Sequence, residues 1–140
     1  MTRGILIFAF SNEKIDYLEQ ADWVADRVNT YLDLPVTIIT DTKSINGRKF
    51  KHNLILSDAI SGGQRNFKHT EEGNVGTWYN SNRFQSYNLS PYDETIAIDS
   101  DYVVNSDQLL RVFESKHDVL CHRDVYDITG TNRFAPYNTF

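Results

Sequence analysis

The sequence predicts an α/β fold, a Rossmann-like and mostly parallel sheet with flanking helices. Ile5–Phe10 and Thr95–Ile98 are apolar runs without polar alternation, which indicates strands buried on both faces. Between Glu13 and Leu32, apolar residues recur at helical spacing and charged residues occupy the other face. The β-branched run Val36–Thr40 then completes a strand–helix–strand unit, which requires parallel pairing through a right-handed crossover.

The ends of these elements carry the expected signals. Ser11 and Asn12 are the predicted N-caps of the first helix, and Pro35 ends it because a proline disfavours helical geometry in the preceding residue. Leu54–Leu56 is a weak third strand. The basic cluster within Arg48–His52 is expected to be a solvated loop.

The second half of the chain is less regular. Ser57–Gly76 is polar and glycine-rich, and we expect a long loop there that is mobile without ligand. Thr77–Leu89 is predicted to be a helix capped by Thr77. Asn105 begins a pattern typical of a capping box before a short helix, and Asp118–His122 indicates another strand. The predicted apolar side of the Thr77–Leu89 helix consists of Trp78, Phe84 and Tyr87.

Length and composition limit the class of protein. The 140 residues fit one domain, 1–140, and the net charge of -5 argues against general binding to nucleic acid. A lone cysteine, Cys121, excludes an internal disulfide and favours a reducing compartment, so we expect a cytoplasmic protein. No apolar run approaches the ~20 residues of a membrane span, and we expect no membrane association.

Two carboxylates follow the run Thr95–Ile98 directly. Side chains two apart in an extended segment point the same way, so Asp99 and Asp101 are expected to converge on one cation. Ligands of open α/β sheets bind outside the carboxyl ends of the strands. The pair therefore indicates a divalent-metal site; the alternative is that Asp99 caps a turn and Asp101 is solvated.

Other chemical motifs are missing from the sequence. It contains no glycine-rich dinucleotide fingerprint, no phosphate loop ending in Gly-Lys-Ser/Thr, no Cys-x-x-Cys pair and no His-Glu-x-x-His. Zinc chemistry and classical dinucleotide binding therefore have no support.

Taken together, these features resemble a known family. The stretch Tyr92–Val104 contains an Asp-x-Asp signature after a hydrophobic strand, the strand–helix–strand unit ends at Asp41, and the next predicted helix carries Arg83. This arrangement is similar to the nucleotide-binding half of a GT-A type glycosyltransferase, over roughly Arg3 to His122. The resemblance implies a nucleotide-diphospho-sugar as ligand, with Mn²⁺ or Mg²⁺ held by Asp99 and Asp101.

The resemblance also implies roles for four other residues. Phe10 and Ser11 would line the nucleotide pocket at the end of the first strand. Asp41 would accept hydrogen bonds from the base or ribose, with a turn residue as the alternative. Arg83 would face the phosphates, with an ordinary surface arginine as the alternative.

The family further implies an acceptor-binding half, with a third metal ligand and a catalytic carboxylate after the signature. Segment 102–140 contains no motif that matches them, so the sequence does not identify the catalytic residue and leaves open whether the chain is an enzyme. We expect slow hydrolysis of a nucleotide sugar rather than efficient transfer. We expect the chain to be a fragment, a piece produced for expression, or a reduced natural homologue. Short homologues of this kind resemble phage-encoded proteins of the host cytoplasm.

Two other hypotheses use the same residues. The first is a non-catalytic module of this fold that acts through a protein partner or as a homo-oligomer, which an aromatic content of 13% would suit. The second is a different metal-dependent phosphate enzyme of the α/β class.

Overall fold

The structure is a computed structural model that describes residues 1–58, 63–66, 75–78 and 80–120, with the backbone alone at 63–66, 75–78, 80 and 81. The chain divides into two compact units, Met1–Leu110 and Arg111–Phe140. The strands, α-helices and candidate site described below belong to the first unit. A single nucleotide-sugar-binding domain over 1–140 stays a prediction.

The centre of the first unit is a four-stranded, all-parallel sheet flanked by helices, which confirms the predicted α/β Rossmann-like fold. The strands are β1 (Arg3–Phe8), β2 (Val36–Thr40), β3 (Asn53–Leu56), β4 (Gly63–Asn66), β5 (Val75–Trp78) and β6 (Glu94–Asp99). The strand order of the parallel sheet is β3-β2-β1-β6. A separate antiparallel pair joins β4 and β5.

Helices cover both faces of the main sheet, which is why its central strands lack polar alternation. The 16-residue helix α1 (Tyr17–Leu32) packs on one face. The short helix α3 (Ser86–Leu89) places Leu89 against the other. The first face carries Ile5, Ile7, Ala9, Ile38 and Ile98, and the second carries Leu6, Phe8, Phe10 and Ile39.

Helix α1 begins later than the sequence predicted. Its N-cap is Asp16, whose side chain accepts from the Glu19 backbone N–H at 3.1 Å, so Ser11 and Asn12 are not the cap. The Asn12 side chain instead accepts from two nearby backbone N–H groups, at 2.9 and 3.0 Å, and forms a local turn. This turn keeps the segment before Tyr17 out of the helix.

The predicted helix Thr77–Leu89 is wrong in its first part. Thr77 lies in β5, where β-branched residues are favoured. A 3₁₀ helix, Asn80–Gln85, and α3 follow. Phe84 and Tyr87 are exposed rather than forming an apolar side.

The predicted loop Ser57–Gly76 contains β4 and the start of β5, so it is partly wrong. Segments 59–62 and 67–74 of this loop lie outside the described residues, and the mobility of Ser57–Gly76 stays a prediction. After β6, the predicted short helix is a 3₁₀ helix, Asp107–Glu114. In the predicted strand Asp118–His122, residues 118–120 are not in a strand, and the last two lie outside the described residues.

The short helix α2 (Thr42–Ile45) follows β2 directly.

Within the described part of the chain, no helix has the length and apolar character needed to cross a membrane.

Candidate functional site at the carboxyl end of the sheet

The chain order reverses between β1 and β6, and the region beyond the carboxyl ends of these two strands is called the crevice below. From β1 the chain proceeds to β2 and β3 on one side, and β6 later pairs with β1 on the other side. Such a reversal is the usual ligand position in open α/β sheets. The register pairs Phe8 with Asp99, so the carboxyl ends of β1 and β6 are level. A side chain that follows either strand can therefore reach the same ligand.

Three of the predicted site residues meet at the end of β6. Asp99 is the last residue of β6 and forms an ion pair with Arg83, which the Asn80–Gln85 helix supplies. Their side chains are 50% and 38% exposed. Burial lowers the pKa of Arg83 from its ordinary value, and the negative charge of Asp101 opposes that shift. Both aspartates thus act on one guanidinium group.

The two aspartates reach this position through a turn and not through an extended strand. The Tyr102 backbone N–H donates to the Asp99 carbonyl oxygen at 3.0 Å, which closes a four-residue turn. Ser100 is buried in that turn and Asp101 is exposed. The strand alternation used to predict their convergence therefore stops at Asp99, and convergence of the two carboxylates on one cation stays a prediction.

A residue that the sequence analysis missed fixes the helix that carries Arg83. The Asn82 side chain is fully buried, and its Nδ2 donates to the Asp58 carbonyl oxygen at 2.9 Å. A buried amide needs such a partner, because leaving it unsatisfied is costly. Asn82 therefore ties the Asn80–Gln85 helix to the segment after β3. A buried asparagine in a polar stretch gives no signal in the sequence.

The donor set at β6 suits a hard cation only in part. In the described ranges, no group of three or more His, Cys, Asp and Glu side chains is placed to hold a metal ion. Asp99 and Asp101 supply two carboxylates, the ligand type that Mg²⁺ and Mn²⁺ prefer. These ions commonly complete their shell with substrate phosphates and water. The residues therefore fit Mn²⁺ or Mg²⁺ when a phosphate ligand contributes the remaining oxygens.

The predicted residues at the end of β1 are part of the framework. Phe10 is buried in the apolar cluster on the sheet face opposite α1. The Ser11 hydroxyl donates to Asp16 at 2.9 Å and accepts from the Leu18 backbone N–H at 3.1 Å. The Ser11 N–H donates to the Ser44 hydroxyl at 2.8 Å. Ser11 thus joins the β1–α1 loop to the first turn of α1 and to α2.

Asp41 lies at the carboxyl end of β2, as predicted. It is the N-cap of α2, and its Oδ1 accepts from the Ser44 backbone N–H at 2.7 Å. This contact agrees with the turn-residue alternative. Contact between Asp41 and a base or ribose stays a prediction.

Arg48 lies in an exposed loop, as the sequence predicted, but its guanidinium group is hydrogen-bonded to other parts of the chain. Its guanidinium group donates to both carboxylate oxygens of Asp16, at 2.6 and 3.1 Å, and to the Ser44 carbonyl oxygen at 2.9 Å. These hydrogen bonds, chiefly that from Arg48, lower the pKa of Asp16 from 3.8 to about 2. Arg48 and Asp16 therefore clamp α1 to α2.

A cleft of about 620 Å³ opens beside Asp101. Its walls are the segment before α1, the first turns of α1, and Ser100–Asp101 after β6. Trp23 and Gln20 face it from α1. The cleft and the Asp99–Arg83 pair thus share Asp101.

Comparisons of the chain with protein-family models, with curated protein sequences and with solved structures find no match. The class is therefore defined by the fold and the site: an α/β Rossmann-like protein with two carboxylates and an arginine at the end of β6, beside its crevice.

Proposed function

We propose that the chain binds a nucleotide-diphospho-sugar in the crevice between β1 and β6, as the donor-binding part of a metal-dependent GT-A type glycosyltransferase. The observation that carries the proposal is the meeting of Arg83 with Asp99 and Asp101 at the end of β6. A diphosphate needs positive charge and hydrogen-bond donors, and a cation-binding carboxylate pair beside an arginine can supply both.

The charges at β6 explain why a cation is part of the proposal. Two carboxylates by themselves repel a diphosphate, and a divalent cation reverses the local field. Asp99 and Asp101 would hold Mn²⁺ or Mg²⁺. When bound, such an ion neutralises the charge that develops on a departing nucleoside diphosphate.

Arg83 is placed to exchange one anion for another. In the structure its guanidinium group pairs with Asp99. Arginine binds carboxylate and phosphate with the same fork of N–H donors. With Asp99 holding a cation, Arg83 would be available to donate to a phosphate oxygen. Its partial burial strengthens that contact, because charges interact more strongly where the effective dielectric constant is low.

The proposal is tested by thermal-shift measurements on the chain with a panel of nucleoside diphosphates and nucleotide sugars, with and without Mn²⁺. A ligand that binds only the folded state must raise the melting temperature. We expect a rise that requires both nucleotide and Mn²⁺, with the uncharged nucleosides as the matched control. No shift with any nucleotide, or the same shift without Mn²⁺, would exclude this function.

Cleavage of the donor is a separate measurement. Release of nucleoside diphosphate from a bound nucleotide sugar reports hydrolysis when no acceptor is added and transfer when one is. We expect slow hydrolysis in the absence of an acceptor. Turnover of roughly one per second or faster with an acceptor would show a complete active site in this chain.

A further inference from the structure

The side of α1 that faces away from the sheet carries large exposed side chains. Trp23 is 52% exposed and Tyr31 is 40% exposed. Residues four apart are neighbours along a helix, so every fourth residue from Glu19 to Tyr31 lies on one ridge. Ile15, just before the helix, is also exposed and borders the same cleft as Glu19 and Trp23, so it extends this ridge. We call the ridge the α1 stripe: Ile15, Glu19, Trp23, Arg27 and Tyr31.

The two charged members of the α1 stripe form no ion pair within the described part of the chain. The Arg27 Nε donates to the Val104 carbonyl oxygen at 2.6 Å. Its guanidinium carbon lies 5.2 Å from the Trp23 ring centroid and 4.9 Å from that of Tyr31. These contacts hold the guanidinium group in place and leave its charge without a carboxylate. The carboxylate of Glu19 stands exposed two helical turns away.

The α1 stripe is complementary to a second copy of itself. Its charges have opposite signs and lie four residues, about 6 Å along the axis, on either side of Trp23. A two-fold axis through Trp23 sets two copies of α1 antiparallel, so that each Glu19 faces the partner's Arg27. The same axis sets Ile15 opposite the partner's Tyr31. A parallel arrangement would instead set like charges against each other, which the charges oppose.

The residue types and the geometry of the stripe also suit a helix–helix contact. Trp, Tyr and Arg are the residues enriched at the centres of protein interfaces. Ridges of residues four apart pack into the matching grooves of a second helix at about 50°. The stacking of Arg27 on both rings fixes them before association, which reduces the entropy lost on binding. An anionic membrane surface is a poor alternative, because the chain has a net charge of -5.

We propose that the chain forms a two-fold symmetric dimer through the α1 stripe, with Trp23 at the axis and two ion pairs between Glu19 and the partner's Arg27. Self-complementary contacts of this kind are typical of homodimers. One helix ridge is smaller than the roughly 800 Å² per partner of a standard interface, so the dimer is weak, with a dissociation constant of about 10–100 μM. The inference does not rest on the proposed function, since Asp99, Asp101 and Arg83 lie outside the stripe.

Sedimentation equilibrium of the whole 140-residue chain, without nucleotide or metal, measures the association directly. We expect a monomer–dimer equilibrium between about 5 μM and about 1 mM. Trp23→Ala should weaken the dimer at least about tenfold, because it removes the central aromatic contact from both copies. Tyr87→Ala removes an exposed aromatic side chain of α3, outside the stripe, and should leave the dimer unchanged.

Charge reversal tests the two-fold pairing itself. Glu19→Arg gives a stripe with two positive charges and Arg27→Glu gives one with two negative charges, so each variant should dimerise about tenfold more weakly than the parent chain. An equimolar mixture restores both ion pairs in a heterodimer and should associate at least as tightly as the parent. Lys43→Glu makes the same reversal on α2, outside the stripe, and should leave the dimer unchanged.

Circular dichroism shows that each variant is folded. If Arg27→Glu fails to fold because it loses the hydrogen bond to Val104, Trp23→Ala and Glu19→Arg decide alone, since both alter exposed side chains. Three results would overturn the inference: a chain that stays monomeric up to about 1 mM, a dimer that both of these variants leave unchanged, or a mixture of the two charge variants that associates no more tightly than either variant by itself.

Discussion

The carboxyl edge of the sheet has two sides that differ in how their aspartates are used. At β6, Asp99 faces a guanidinium group and Asp101 is exposed. On the β1–β2 side, Asp16 accepts from Arg48, Ser11 and the Glu19 backbone N–H, and Asp41 caps α2. The first side keeps carboxylate oxygens accessible to a ligand. On the second side, carboxylate oxygens accept hydrogen bonds that hold the start of α1 and of α2 in place.

The difference shows that position at a strand's carboxyl end does not by itself make an aspartate a ligand. Backbone N–H groups at a helix start turn a nearby carboxylate into a cap, as at Asp16 and Asp41. Where the chain turns away without starting a helix, as after Asp99, the carboxylates meet side-chain cations instead. The partner available to each oxygen decides its role.

The largest effect is expected from removing one charge at β6. Asp101→Asn should lower Mn²⁺-dependent nucleotide affinity at least about tenfold, because a hard cation loses a charged ligand. The free energy of unfolding should change by less than about 0.5 kcal/mol, since the side chain is exposed. Titration calorimetry and urea unfolding measure the two quantities.

Asp41→Asn is the matched control, because it removes the same charge on the other side of the crevice. It should leave the Mn²⁺ dependence of nucleotide binding unchanged. Equal losses in the two variants would mean that the two sides do not differ, and the metal role of Asp101 would be wrong.

Arg83→Gln should act in opposite directions on the two ligands. Without the guanidinium group, Asp99 no longer has a competing cation, so Mn²⁺ alone should bind about threefold more tightly. Nucleotide in the presence of Mn²⁺ should bind about fivefold more weakly, because a phosphate contact is lost. Paramagnetic resonance of free Mn²⁺ measures the first affinity, and calorimetry measures the second.

Arg3→Gln tests whether any ion pair on β6 has this effect. Arg3 pairs with Glu94 at 2.5 Å, at the opposite end of the same strand. The Arg3→Gln substitution should alter neither the affinity for Mn²⁺ nor the affinity for nucleotide. If Arg83→Gln weakened Mn²⁺ and nucleotide alike, Arg83 would be a framework residue and not a phosphate ligand.

On the other side of the crevice, the ion pair between Arg48 and Asp16 should affect the free energy of unfolding and the way it changes at acid pH. Arg48→Ala should lower the free energy of unfolding at pH 7 by about 1 kcal/mol, a value reduced because the ion pair is over a third exposed. The pKa of Asp16 is lowered from 3.8 to about 2, so its stabilisation is complete above the unfolded value and is lost as pH falls between them.

Urea unfolding at a series of pH values checks both parts of this prediction. In Arg48→Ala, the loss of stability between pH 3.8 and about 2 should be smaller than in the parent chain. Lys51→Ala removes another basic residue of the same segment, whose ion pair with Asp26 is more exposed, and should cost less than about 0.5 kcal/mol. Equal effects of the two substitutions would mean that the hydrogen bonds from Arg48 to Asp16 add no measurable stability.

The sequence predicted the sheet better than the site. Continuous apolar runs predicted the strands β1, β2 and β6. Burial on both faces is confirmed for β1 and β2. It is wrong for β6, an edge strand that is mostly half-buried and whose Ala97 is exposed. The start of α1 was misplaced because Asn12 forms its own turn, and both Asn12 and Asp16 are good capping residues. Local pattern does not choose between two valid caps; the contact of Asp16 with Arg48 is tertiary.

The site shows the same limit. Asp99 and Asp101 were found because they follow an apolar strand directly. Arg83 was placed by resemblance, within a helix whose predicted start was wrong. Asn82 and Arg48 contact partners 24 or more residues away in the sequence. The position of Trp23 beside a cleft depends on which face of α1 borders that cleft. Single-sequence patterns do not contain that information.

The smallest effect, and the sharpest test of Asp41, comes from two substitutions of one residue. Asp41→Ala removes the acceptor for the Ser44 N–H and should cost about 0.5 kcal/mol of unfolding free energy, near the low end for N-caps because α2 is a single turn. Asp41→Asn keeps an acceptor and should cost at most a few tenths. Because a cap needs an oxygen and not a charge, nucleotide affinity in Asp41→Asn should equal that of the parent chain. If calorimetry instead shows weaker nucleotide binding in Asp41→Asn while urea unfolding shows full stability, Asp41 binds the base or ribose, and both sides of the crevice belong to the ligand site.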